Sequence, residues 1–464
     1  MSVLKLSVRL ALLAALACAL LAVPALADSQ ARIVRLSDVE GTVQIDRNIG
    51  QGYEKAFLNM PITEGAKLWA RDDGRAEIEF EDGSVVRITP NTKVEFTLLS
   101  LRDSGSKLST VKIEEGTAYI NFTGQKSNEF TINFARESAR LTHAARFRVD
   151  LEDTDATLAV LKGDVEIEGP SGSVEVGKKQ TATFDLADKD RYTVAKNFEQ
   201  DPYDNWDKQQ EQYHDRYLNA HSYDASMPYS YGVSDLNYYG TYYNVPGYGQ
   251  CWQPYFTGVG WDPFMNGAWV WYPGFGYTWV SSYPWGWMPY RYGSWIFVPS
   301  YGWLWQPGGW NNWYTVPRVV NPPQRFTPPR PPSRGGQQTV VVGRAPSGSP
   351  GVPPRRTVMI DRGSAGLGVP RGGVRNLDKV SQAVESQGST TVHTRPPARI
   401  APTPPSGYSM RTQGYSGGMS TRTTSPSSHT SAPAHTSAPA PRVSTPAPRS
   451  SAPSVSHSSP PSRH

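Results

Sequence analysis

The sequence predicts an all-β protein: a β-sandwich or jelly roll, then a short helix, an antiparallel β-hairpin repeat module and a long disordered tail. Three observations predict it. Residues 33–194 are short runs of Val, Ile, Phe and Thr that alternate with charges and break at Gly or Asp. Residues 234–312 repeat three times, with a spacing of 27 and then 26 residues. From Thr315 onward the composition turns to Pro, Ser, Thr, Ala and Arg. The boundaries that follow are 1–27, 28–195, 196–233, 234–314 and 315–464.

Residues 1–27 read as a secretory signal. Lys5 and Arg9 give a positive start, Leu10 to Leu21 an apolar run, and Ala25-Leu26-Ala27 a small-residue cleavage site before Asp28. The apolar run is short for a membrane span, which needs about 20 residues. The expected location is the periplasm or surface of a Gram-negative-type bacterium. Cleavage between Ala27 and Asp28 leaves one cysteine, Cys251, so neither an internal disulfide nor a cysteine metal cage is expected.

In the first domain, RAEIEF (75–80) shows the pattern: Ala76, Ile78 and Phe80 point one way, and Arg75, Glu77 and Glu79 the other. That is a strand with one wet face. Asp-Gly at 73–74 and 82–83 supplies tight turns. The run LNMPITEGAKLWARDDGRAEIEFEDGSVVRITPNTKVEF (58–96) resembles the FecR domain, as do KIEEGTAYINF (112–122), LAVLKGDVEIEG (158–169) and VGKKQTATF (176–184). One departure is His143-Ala-Ala-Arg-Phe-Arg-Val149, where that family has Gly-Thr before a Phe-x-Val strand. The resemblance implies a periplasmic binding domain. It also implies a role in sensing a transporter's state, relayed in that family through a membrane helix to a cytoplasmic anti-sigma segment. Here a signal sequence leads straight into the domain, and no membrane helix or anti-sigma segment is read. A separate transmembrane regulator is therefore the expected signalling partner.

Residues 201–220 read as one amphipathic helix, capped by Asp201, with Trp206, Tyr213 and Tyr217 on one face. It is expected to act as a strut between the domain and the repeats.

The repeats hold 12 of the 14 tryptophans, between Trp252 and Trp313. The middle copy reads as a hairpin: strand 267–272, turn Pro273-Gly-Phe-Gly276, strand 277–280. Pro then Gly suits a type II turn, and Ser300 in place of that Gly predicts a different turn in the third copy. Three hairpins predict a six-stranded meander. Alternation places Tyr242, Trp252, Trp269, Trp271, Tyr277, Trp279, Trp295, Phe297, Trp303 and Trp305 on one face, and Val270, Val280, Ile296, Val298 and Leu304 on the other. The aromatic face has three readings: a core, a stacking platform for a linear glycan such as peptidoglycan, or a protein-docking surface. Under the last two, Trp252, Trp269, Trp271, Trp279, Trp295, Trp303 and Trp305 are the candidate binding residues. The region is also similar to an uncharacterised aromatic-rich domain that follows FecR-like domains in some bacteria.

The tail, 315–464, holds 18 Lys and Arg against 3 Asp and Glu. It reads as a solvated spacer or as a ligand for an anionic envelope polymer; nucleic acid is not expected. Within it, NLDKVSQAVES (376–386) reads as a short helix. Motifs for nucleophilic, metal or nucleotide chemistry are missing, and His143, His214 and His221 are scattered. The reading is a non-enzymatic envelope protein with no cofactor. It binds a partner protein or wall polysaccharide, or serves as a periplasmic signalling component.

Overall fold

A computed structural model describes residues 32–188, 191–218, 229–311, 318–333, 339–343 and 357–394. The signal segment with Ala27 and Asp28, and residues 395–464, lie outside the described residues. The chain is mostly β, as the alternation predicts.

Strands between Val34 and Ala195 build a sandwich of two sheets. One sheet carries Val34–Glu40, Arg75–Glu79 and Val85–Ile88, then Ala145–Leu151, Asp155–Lys162, Thr181–Asp185 and Arg191–Ala195. The other carries Val43–Asp46, Lys67–Ala70, Thr92–Leu101, Glu129–Phe134, Glu137–Leu141 and Asp164–Gly169. The long strand Lys107–Phe122 belongs to both: its first half pairs in the second sheet and its second half in the first. The switch falls at Gly116, whose φ is +83° and where an added Cβ would lie 2.6 Å from the Asn91 carbonyl oxygen. A side chain there would be strained and would clash. The inner faces bury aliphatic residues and a few Phe, among them Leu36, Ile78, Val86, Phe96, Ile120, Phe147 and Leu158.

Helix α1 (Asp204–Leu218) follows the sandwich. Asp201 and Asp204 cap it reciprocally: Tyr203 N–H donates to Asp201 Oδ1 at 2.7 Å, and Asp201 N–H to Asp204 Oδ2 at 3.0 Å. A buried helix α2 (Val233–Tyr239) then leads into the repeats.

All three hairpins form where the repeat places them: Gly240–Val245 with Gly249–Pro254, Gly267–Tyr272 with Gly276–Ser281, and Tyr292–Val298 with Gly302–Trp310. The register repeats too, pairing Tyr242 with Trp252, Trp269 with Trp279, and Trp295 with Trp305. In the first two turns Gly247 and Gly274 have φ of +81° and +77°, as type II requires. Ser300 stays out of the left-handed region, so the third turn differs. A short helix α3 (Met288–Arg291) opens the third copy.

The expected six-stranded meander is corrected. The first and third hairpins join through Trp252 and Trp305, while the middle hairpin pairs with Val340–Val342 in a separate sheet. The tail boundary is corrected as well. Residues 357–394 fold into a hairpin, Thr357–Asp361 with Ser389–His393, and helix α4 (Leu377–Gln387). This strap buries Ile360, Ala365, Val369, Val374, Leu377 and Val384 in the same core cluster as the sandwich and the repeats. The helix read at 376–386 is there. The disorder read around it is not, because a few apolar residues spread through polar text suffice when a neighbouring module supplies the rest of the core.

Candidate functional site

The aromatic face is a core. Trp252, Trp269, Trp279, Trp295, Trp303 and Trp305 are all at most 4% exposed. Of the seven candidate binding residues Trp271 alone is half-buried. Tyr277 is buried, and Tyr242 and Phe297 pack at the margin of the core. The rings meet edge to face, as Trp269 and Trp279 do at 5.5 Å and 69°. Trp285, outside the alternating pattern, is the hub. It stacks on Tyr283 at 4.9 Å and touches Trp252, Trp261 and Trp295. The opposite face closes a small cluster of its own, with Val245, Cys251, Ile296 and Leu304 buried and Val298 packed against them. Burial pushes the Cys251 thiol up to about 11, so it stays protonated and unreactive at neutral pH.

The polar feature of the molecule is a junction on the outer face of the first sheet, where a wet face was expected. Glu77 and Glu79 are buried there, along with Arg35, Ser37 and Arg87. Helices α1 and α2 and the strap cover them. Arg87 donates to Glu77 Oε2 at 2.8 Å and to Asp207 Oδ1 of α1 at 2.6 Å. Arg146 also pairs with Asp207, Arg148 with Asp204, and Asn121 with Glu211. Thus the acidic face of α1 answers the basic face of the sheet. That complementarity was legible, since Asp204, Asp207 and Glu211 share a helix face.

Arg35 reaches Glu79 at 3.1 Å, Asp235 of α2 at 2.7 Å and the Pro284 carbonyl at 2.9 Å. Arg371, from the strap, enters the same junction. It binds Glu77 at 2.6 Å, Asp235 at 2.9 and 3.0 Å, and the Ser37 carbonyl at 2.9 Å, with its guanidinium 5.0 Å from the Tyr213 ring centroid. His214 completes the ring, 3.0 Å from Glu77.

Burial by itself raises the Glu77 carboxyl, but His214, Arg371 and Arg87 outweigh it and hold the group well below its ordinary value. Asp235 is likewise lowered: burial opposes, and Arg371 and Arg35 prevail. His214 is raised, with burial opposing and Glu77 prevailing. Glu79 is raised, chiefly by burial. His143 is exposed beside Thr142, and His221 lies outside the described residues. Among the described residues no group of three or more His, Cys, Asp or Glu could hold a metal ion, and no helix is long and apolar enough to cross a membrane. These ion pairs satisfy one another, and they weld three segments of chain.

Known proteins bear on both halves of this assembly. Residues 66–166 match the FecR protein family. Residues 233–324 match a family of unknown function, DUF6600, so the chain carries a FecR domain followed by a DUF6600 domain. A solved structure described as a candidate anti-sigma factor from Parabacteroides distasonis ATCC 8503 is 17% identical, and the match covers 30% of this chain and 63% of that one with a TM-score of 0.26. A second structure under the same description is 16% identical, over 33% of this chain and 67% of that one, with a TM-score of 0.25. The comparison with curated proteins found no match.

Proposed function

We propose that this is an exported, non-catalytic envelope protein and a periplasmic component of FecR-type signalling, which docks a partner protein on the open sheet of its FecR domain. The observation that carries the reading is the FecR match over 66–166 on a sandwich of which, among the described residues, one outer face is covered. The covered face is occupied by α1, α2 and the strap. The other sheet presents alternating polar side chains, including Lys93, Glu95, Lys112 and Thr131, around a half-buried Trp69. Arg71 and Lys93 lie over that ring at 3.6 and 4.1 Å, and Tyr53 meets its edge. An aromatic ring flanked by cations on a polar sheet suits the recognition of a protein surface. Wall polysaccharide is the weaker reading, because the tryptophans that would stack on sugar are buried.

The test is a photo-crosslinking residue at position 131 of the full chain in cells. The reading expects one defined envelope protein in the adduct and its loss in Trp69→Glu. Adducts only to peptidoglycan, or an adduct that survives Trp69→Glu, would contradict it.

A further inference from the structure

A cavity of about 270 Å³ opens where the sandwich, the DUF6600 domain and the strap meet. That is just under the usual range for small-ligand sites, roughly 300–1,000 Å³. Much of its wall is apolar, with Phe57, Leu58, Tyr239, Pro284, Leu367 and Val369. Most polar side chains in the wall are spent. Ser37 donates to Glu77, and Tyr239 to the Val369 carbonyl. All five N–H groups of Arg371 are taken, by Asp235 twice, Glu77, Gln210 and Ser37. The lining cation therefore has nothing left to offer an anion.

Two groups remain unspent. Ser282 is 6% exposed, and its hydroxyl has no hydrogen-bond partner among the described residues. Asp38 makes no hydrogen bond or ion pair among the described residues, and it lines both this cavity and the adjoining groove under α1. The charged groups around it are Glu40 on its own strand, Arg75 and Glu77 on the next, Asp235 on α2 and Arg371 on the strap, with His214 of α1 behind Glu77. Burial, with Glu40, pushes the Asp38 carboxyl up to about 7 against the pull of Arg371; Glu77 adds to the rise and Arg75 opposes it. A carboxylate in this state lacks a cationic donor.

We propose that this cavity binds a primary alkylammonium group, its N–H bonds accepted by Asp38 and Ser282 and its aliphatic stem held by the apolar wall. A free small amine and a lysine side chain of another protein present the same chemistry. The site is independent of the open sheet, so it stands or falls separately from partner docking there.

The experiment is thermal unfolding of the full mature chain with n-butylammonium chloride, with n-butanol and sodium chloride as controls. At pH 8, where Asp38 is charged, the amine raises Tm progressively with concentration and the controls do not. The rise shrinks toward pH 6 as Asp38 takes up its proton. Asp38→Asn keeps a cooperative transition and loses the amine response, and Ser282→Ala weakens the response several-fold. Nα-acetyl-lysine methylamide acting at lower concentration than butylammonium assigns the site to a protein lysine, and the reverse order assigns it to a free amine. An equal response to butanol, or an undiminished amine response in either variant, overturns the proposal.

Discussion

The molecule solves the same burial problem twice with different material. The sandwich packs aliphatic residues and Phe between two sheets, and its polar groups sit on the outer faces. The DUF6600 domain packs Trp and Tyr, each of which brings a polar tip inside. Some tips are satisfied: Trp305 Nε1 donates to the Tyr292 carbonyl at 2.7 Å, Trp252 to Leu236 at 3.0 Å and Trp285 to Ala365 at 2.7 Å. Others are not. The indole N–H groups of Trp269, Trp279, Trp287 and Trp295 are buried without an acceptor among the described residues. Fourteen tryptophans in one chain thus do not announce a binding surface. A short repeat with few aliphatics has to bury what it has, and large rings bury about 150–250 Å² each at some cost in polar satisfaction.

The largest expected effect tests whether the aromatic core matters as much as the aliphatic one. Trp305→Ala should cost about 3–5 kcal/mol, comparable with Phe147→Ala in the sandwich, and each should shift one shared unfolding transition in urea. Two separate transitions would divide what the core cluster joins. Next comes the weld. Arg371→Met leaves Glu77 and Asp235 short of a buried partner and should cost about 3 kcal/mol, although it removes a residue from text that reads as tail. Smaller again is the contrast among the rings themselves. Trp305→Phe loses a 2.7 Å hydrogen bond and should cost about 1 kcal/mol more than Trp269→Phe, which loses none. The smallest is Ser300→Gly, which frees the unfolded chain without relieving a left-handed turn and should cost about 0.5–1 kcal/mol.

The junction also sets a pH dependence. Glu77 and Asp235 are lowered in the folded state, so their contribution is present above their ordinary values and is lost as the pH falls through the folded ones. His214 is raised, so its contribution is full below about 6.5 and is lost as the pH rises through its folded value. Asp38 and Glu79 are raised acids, which bind protons better folded than unfolded, so each costs the fold stability as the pH rises above its ordinary value, Asp38 until about 7. Together these place the junction's stability maximum on the acidic side of neutrality. Asp38→Asn should raise Tm more at pH 8 than at pH 5, as thermal melts across that range would show.

Local pattern carried much of the fold. Alternation located the sandwich strands, the Pro-Gly steps located the hairpins, and even the odd turn at Ser300 could be read from one missing glycine. What alternation cannot say is what lies against a face. Glu77 and Glu79 look wet because they are charged, yet Arg371 of the strap and His214 of α1 come down on Glu77, and Arg35 of the neighbouring strand pairs with Glu79. The aromatic stripe looks open because it is large, yet Trp252 and Trp305 pair across hairpins two copies apart. Both outcomes depend on contacts far apart in sequence, such as Arg371 with Ser37, and no local period encodes those. Asp38 and Ser282 had no signal at all. Each is an ordinary strand or loop residue until three segments converge on it.

The central claim is that the repeat tryptophans are a core continuous with the FecR domain. The most direct measurement is acrylamide quenching of tryptophan emission from the native mature chain, followed through urea unfolding. The account predicts blue-shifted emission, weak quenching apart from a minor fraction to which Trp69, Trp271 and Trp310 contribute, and one transition in which emission and sheet signal change together. Red-shifted, strongly quenched emission from a protein whose sheet signal is intact would mean that the aromatic face is open, and would contradict it.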